Sequence, residues 1–174
     1  VQSLDQEECL HCSAGIVLQA YLPESHAIQR QLSRWARERV ARGGAPIKLR
    51  IVKGANMEME KLESVINNWA LAPFDNKLAV DANYKRMLEY GMRPENIAAV
   101  RLGIASHNLF ELAYAATLAK DREVTPFFCF EMLEGMANHQ RRALLERTPR
   151  MLLYAPACRK DEFLNAIGYL IRRL

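Results

Sequence analysis

A chain of 174 residues, half of them hydrophobic, is long enough to bury the core of one ordinary domain. Its net charge of +4 comes from 24 basic and 20 acidic residues, spread as 12 and 10 in each half, so no arm or stripe concentrates positive charge as a nucleic-acid surface does. No apolar run reaches the length of a membrane span, and VQSLDQEECL lacks the basic-then-apolar order of a signal peptide. Four cysteines, Cys9, Cys12, Cys129 and Cys158, are too unevenly placed for a secreted disulfide framework. A cytoplasmic chain with reduced thiols is expected.

The first dozen residues read as helical. Cys9 and Cys12 form a C-x-x-C around His11, which could be a redox pair or half a zinc site; with no second C-x-x-C, incidental spacing is the expectation and no metal is assigned. GIVLQAY from Gly15 predicts a buried strand, with Gln19 and Tyr21 near its C-terminal end. Ser25 is of the type that caps the following helix, whose apolar positions Ile28, Leu32, Trp35, Ala36 and Val40 recur at helical spacing, and Gly43 and Gly44 stop it. Trp35 is expected to pack that helix against the sheet.

Leu49, Ile51 and Val52 predict a strand buried on both faces, with Arg50 and Lys53 at its end beside the permissive Gly54. A helical stretch through Trp69, a break at Ala72 and Pro73, and a helix over 77–90 follow. The next strand is expected over 99–105. Ser106 and Asn108 suit the cap of a helix over 109–120, while His107 lies where a neutral imidazole can meet phosphate. FFCFEML over 127–133 is a fourth strand, a helix over 138–147 leads into a fifth, MLLYAP, with Tyr154 at its end, and the last helix runs from Asp161 to Arg172 and Arg173.

Five alternations of strand and helix call for a parallel α/β architecture with right-handed crossovers. No G-x-G-x-x-G fingerprint occurs, and a full (β/α)8 barrel takes about 250 residues. The expected fold is therefore α/β, a partial (β/α)8 TIM-like barrel of about five consecutive βα units. Gln19, Arg50, Lys53, His107, Leu133 and Tyr154 come from five strand ends, the distribution by which a barrel assembles one site. They include no carboxylate pair for acid and base work, no metal cluster and no G-x-S-x-G elbow, which leaves a cationic, hydrogen-bonding set suited to an anionic cofactor. The other reading of the cations stays open: Arg50 pairs with a neighbouring carboxylate and Lys53 is solvated.

QAY at Gln19 to Tyr21, RIVKGAN at Arg50 to Asn56, SHN at Ser106 to Asn108, FEMLEGM at Phe130 to Met136, LYAP at Leu153 to Pro156 and YLIRRL at Tyr169 to Leu174 occur in this order. Together they resemble the proline dehydrogenase domain of the bifunctional proline utilization A flavoenzymes, from about Gly15 onward. The resemblance implies a distorted barrel that binds FAD, oxidises L-proline to Δ1-pyrroline-5-carboxylate and passes electrons to a membrane quinone. It implies a cytoplasmic parent, peripheral at the inner membrane face when it meets the quinone. By position, Gln19, Arg50, Val52, Lys53, Ser106 and His107 match the flavin-binding residues, and Leu133, Tyr154, Arg172 and Arg173 match the substrate pocket, with Arg50 and Tyr154 in the catalytic role. Adjacent Arg172 and Arg173 could clamp the proline carboxylate; without the resemblance they would read as cations favouring a helix C-terminus.

The resemblance also implies that residues 1–174 are the C-terminal portion of the barrel. The N-terminal strands, with the family's catalytic lysine and aspartate, and an aldehyde dehydrogenase domain are expected outside it. Asn56 and Met57 stand where the better-known branch has tyrosine and tryptophan. Two other functions remain to be weighed. One is a non-catalytic folding unit whose open sheet edges favour pairing or homo-oligomers. The other is a barrel enzyme that binds a phosphorylated metabolite through Arg50, Lys53 and His107.

Overall fold

The computed structural model describes residues 2–148, 150–155 and 157–171. Its strands are β1 (Gly15–Gln19), β2 (Ile47–Val52), β3 (Val100–Ala105), β4 (Phe128–Leu133) and β5 (Met151–Tyr154), all parallel and paired in chain order. The helices are α1 (Ser25–Ala41), α2 (Met57–Asn67), α3 (Lys77–Gly91), the single turn α4 (Pro94–Ile97), α5 (Leu109–Asp121), α6 (Asn138–Leu145) and α7 (Phe163–Ile171). A doubly wound sheet reverses its strand order to place helices on both faces. A strictly sequential order with right-handed crossovers leaves them all on one, which is the arrangement of a barrel wall. Among the described residues, no helix is long and apolar enough to cross a membrane.

The core lies between the sheet and these helices. Ile47, Leu49 and Ile51 of β2, Leu102 and Ile104 of β3 and Phe130 of β4 are buried there with Tyr84, Met87 and Leu88 of α3 and Leu112 and Ala115 of α5. The intervening positions point to the other face. In β2 these are Lys48, Arg50 and Val52, all half-buried, so this strand alternates and is not buried on both faces as its apolar run suggested. The residues facing the barrel interior are thus set by the pleat.

Two helical expectations change. The first dozen residues form two 3₁₀ turns, Gln2–Asp5 and Glu7–Cys9, instead of a helix. In α1 the buried stripe is Ser25, Gln29, Ser33, Ala36 and Arg39, while Ile28 is exposed and Leu32, Trp35 and Val40 are half-buried. Polar residues face inward because partners wait for them: Gln29 Nε2 donates to the Met87 carbonyl at 2.9 Å, and the buried guanidinium of Arg39 donates to five carbonyls. Ser25 opens the helix after the N-cap Glu24, and its hydroxyl donates to the Gln19 carbonyl at 2.6 Å instead of capping an amide.

Arg39 fastens the N-terminal segment beneath the strands. Its Nε donates to Ala45 O at 3.1 Å, Nη2 to the carbonyls of Cys9, Leu10 and Cys12 at 2.8, 2.6 and 2.9 Å, and Nη1 to Leu4 O. Trp35 does not pack against the sheet: its Nε1 donates to Asp5 at 2.7 Å, and Arg42 pairs with the same carboxylate at 2.7 Å. The bond from Trp35, with help from Arg42, holds the Asp5 carboxyl below the usual range. Cys9 and Cys12 contribute carbonyls here, and their thiols are free. No group of three metal-ligating side chains occurs among the described residues.

Candidate functional site

At the carboxyl ends of the strands lies an open cleft of about 650 Å³. β4 supplies its least expected residue. Glu131 sits in the apolar run FCFEML and is 1% exposed, and an ionised side chain survives such burial only when paired and hydrogen-bonded. Two cations meet it from β2, two strands away: Lys48 Nζ lies 2.6 Å from Oε1 and Arg50 Nε donates to Oε2 at 2.5 Å. Burial pulls the Lys48 pKa down, but the pairing with Glu131 outweighs it and the ammonium titrates above its ordinary value.

The intervening strand has to leave room for this contact. Gly103 of β3 aligns with Arg50 on one side and Cys129 on the other, and a Cβ added there would overlap the Glu131 carboxylate. Glycine is required by this close approach and not by its backbone angles. On the far side of Arg50, the guanidinium carbon lies 4.4 Å from the centre of the Tyr154 ring at the end of β5, in cation–π contact.

A second carboxylate organises the next part of the rim. Lys53 is not solvated: its ammonium is held by Asp81 of α3 and by the buried Glu111 of α5. Burial works against the charged form, yet the two carboxylates carry the Lys53 pKa above its usual value. Glu111 also accepts from Ser106 Oγ at 2.8 Å, and Ser106 Oγ accepts from the Asn108 amide at 3.0 Å. Asn108 is the helix cap foreseen from its type, accepting from the amides of Phe110 and Glu111 at 3.0 and 3.3 Å.

His107 projects between these groups. Its Nε2 accepts from the Leu133 amide at 3.0 Å, which places the ring proton on Nδ1 in the neutral form; Nδ1 is buried without a partner among the described residues. Burial holds its pKa below the ordinary value. A neutral imidazole with an unused donor at the cleft is suited to an acceptor atom on a bound molecule. Nearby, Gly54 turns the chain away from β2 with φ +118°, packed so tightly on Tyr21 that any side chain would strike the ring.

Gln19, Arg50, Val52, Lys53, Ser106, His107 and Leu133 all line this one cleft. Tyr154 adjoins it through Arg50. Arg172 and Arg173 lie outside the described residues. Asn56 is the N-cap position of α2 without a side-chain cap, and Met57 is that helix's first residue, directly after the cleft-lining Gly54 and Ala55. The charges are unevenly shared. Lys48 and Arg50 against Glu131 leave one positive charge, whereas Lys53 against Asp81 and Glu111 leaves one negative, so attraction for an anion centres on Arg50.

Lys48, Asp81, Glu111 and Glu131 were missed in the sequence. The available signal was an acidic residue inside FCFEML, facing two basic residues at alternate positions of KLRIVK. Burial of that carboxylate demanded partners, and the two-residue spacing on β2 offered them from one face.

The pattern of the family described as proline dehydrogenase matches residues 2–174. The structure of proline utilization A (PutA) from Corynebacterium freiburgense is 46% identical with a TM-score of 0.93, covering 99% of this chain and 18% of that one. PutA from Bdellovibrio bacteriovorus, inactivated by N-propargylglycine, is 32% identical with a TM-score of 0.87, covering 99% and 17%. A PutA from Bradyrhizobium japonicum, at 24% identity and a TM-score of 0.74 over 91% of this chain and 16% of that one, shares the fold. The chain thus spans less than a fifth of the length of these structures. No curated protein matches it.

Proposed function

Because the chain belongs to the proline dehydrogenase family, we propose that it forms the C-terminal part of a barrel that oxidises L-proline to Δ1-pyrroline-5-carboxylate with FAD. The observation that carries this reading is Arg50, fixed through Nε by Glu131 and stacked on Tyr154, at the edge of a cleft lined by the other strand-end residues. The donor set fits a flavin. The orphaned Nδ1 of His107 is a neutral donor for an acceptor atom, the local excess of positive charge lies at Arg50, and the side-chain-free turn at Gly54 lets a large group approach the backbone. When bound, FAD supplies the acceptor for hydride leaving the proline carbon next to nitrogen.

The chain's own part is binding and orientation. Gln19, Lys53, Ser106 and His107 hold the cofactor and Val52 gives it a wall. Leu133 and Tyr154 shape a pocket for the five-membered ring, and Arg172 and Arg173 take its carboxylate through charge-assisted bonds. Arg50 favours negative charge where electrons arrive. A quinone as final acceptor, a cytoplasmic parent at the inner membrane face and an aldehyde dehydrogenase domain in the same chain complete the proposal. The overcompensation of Lys53 by two carboxylates disfavours the alternative, a phosphorylated metabolite held at Lys53.

These 174 residues alone are expected to be inactive. Their interior sheet face has Val17 half exposed and Leu152 nearly so, and a working barrel excludes water there. The test is a visible spectrum of the whole protein after incubation with FAD and desalting, followed by anaerobic L-proline and, separately, N-propargylglycine. Bleaching by proline and irreversible loss of that response after N-propargylglycine are expected. A retained flavin spectrum that proline leaves unchanged overturns the function.

A further inference from the structure

The carboxylate of Glu131 is spent on two cations and takes up space that only a glycine at position 103 leaves open. Such an arrangement does more than neutralise charge. A pair formed merely to bury a glutamate is complete with Lys48 alone; here the second oxygen grips Arg50 at Nε, the inner corner of the guanidinium, and no hydrogen bond among the described residues engages its Nη groups. Tyr154 covers one face of the same group. The remaining freedom of the side chain is small, and its outward edge is left for a ligand.

We infer that Glu131 is the positioning residue for Arg50, held in place by Lys48 and admitted by Gly103, and that it sets the direction in which the guanidinium edge meets the bound cofactor. The inference rests on the proposed flavin site and adds a residue two strands away that touches neither cofactor nor substrate. Lys48 anchors the carboxylate from its other oxygen, so the glutamate cannot follow Arg50 when the arginine swings; it acts as a fixed stop.

The two cations also make the inference separable from a plain structural role. Glu131→Gln keeps the shape and one acceptor but removes the charge that holds both partners, whereas Arg50→Lys keeps a cation and loses the fork. In the whole protein loaded with FAD, a misaimed Arg50 is expected to cost on the order of 100-fold in kcat/KM for L-proline, the scale seen when a reacting group is displaced by about 1 Å. The loss should fall on kcat more than on KM. The flavin midpoint potential and visible band positions should move in Glu131→Gln.

The deciding comparison is the double variant. If Glu131 works through Arg50, adding Glu131→Gln to Arg50→Lys changes kcat, band positions and midpoint potential by less than about twofold or not at all. Full additivity in these three readouts overturns the inference while the proline dehydrogenase reading stands, because the parent protein still holds flavin and turns over proline. A parent protein that retains no flavin overturns both. Should Glu131→Gln fail to fold, Gly103→Ala displaces the same carboxylate without altering any charge, and its effect must likewise vanish in the Arg50→Lys background.

Discussion

Arg39 and Arg50 stand at opposite ends of the sheet, one beneath the strands and one at their carboxyl ends. Arg39 is fully buried, makes five bonds to carbonyl oxygens and meets no carboxylate. Its charge is tolerated because it lies in the last turn of α1, where the backbone carbonyls present negative potential. Arg50 has a quarter of its side chain exposed, is held at Nε and stacked on Tyr154. The same side chain is a fastener where every donor is consumed and a tool where the outer donors are left over. Counting unspent donors thus separates the two roles where residue type and burial alone do not.

The contrast can be broken most forcefully at the lower end. Arg39→Met strips the donor from five carbonyls at once, and with losses of about 1–3 kcal/mol for an unmet buried group, partly relieved by entering water, a destabilisation of about 3–5 kcal/mol is expected in urea unfolding. Flavin retained per folded molecule should not change. A variant of normal stability that loses flavin would show that the two ends are not separate in function.

Gly103→Ala probes the upper end with a smaller effect. The added methyl meets the Glu131 carboxylate, and overpacking of this kind costs about 1–3 kcal/mol. Here the stability loss should come with a loss of proline turnover, the reverse of the Arg39 pattern. Asn108→Ala removes the α5 cap beneath Ser106 and should cost about 1 kcal/mol by thermal or urea unfolding. Because Glu111 would still hold Ser106 and Lys53, flavin retention should be nearly preserved.

The smallest expected effect is in pH. His107 has a pKa lowered by burial, so between that value and its unfolded value of about 6.5 the unfolded chain binds more protons than the folded one. The contribution is fully present above pH ~6.5 and is lost as pH falls through the folded pKa. Protonation also removes Nε2 as the acceptor for the Leu133 amide. An NMR titration should find the His107 ring neutral below pH 6.5, and His107→Asn should flatten the acid limb of the stability profile. A ring that titrates at or above 6.5 contradicts this.

The strands were legible because short apolar runs recur at βα spacing, and the strand-end residues followed because parallel sheets expose their carboxyl ends to ligands. Asn108 could be named as a cap from its type and place alone. What stayed hidden depends on partners remote in the chain. The Arg50–Glu131 contact joins residues 81 positions apart across an intervening strand, and nothing local to either marks it. The inward face of α1 was misjudged for the same reason: Ser25, Gln29 and Arg39 are buried because carbonyls of β1, α3 and the N-terminal segment receive them. Apolar periodicity reports burial in hydrocarbon, whereas this helix is buried largely in backbone.

The sequential strand order bears on how the chain acquires its structure. Each strand from β2 onward pairs with the one before it, so every new βα unit finds its docking edge already laid down. Loop closures stay within neighbouring units, a low-contact-order route unusual for a parallel sheet. During synthesis the wall can therefore lengthen one unit at a time from its N-terminal edge, with the Lys48–Glu131–Arg50 contact closing only when β4 arrives.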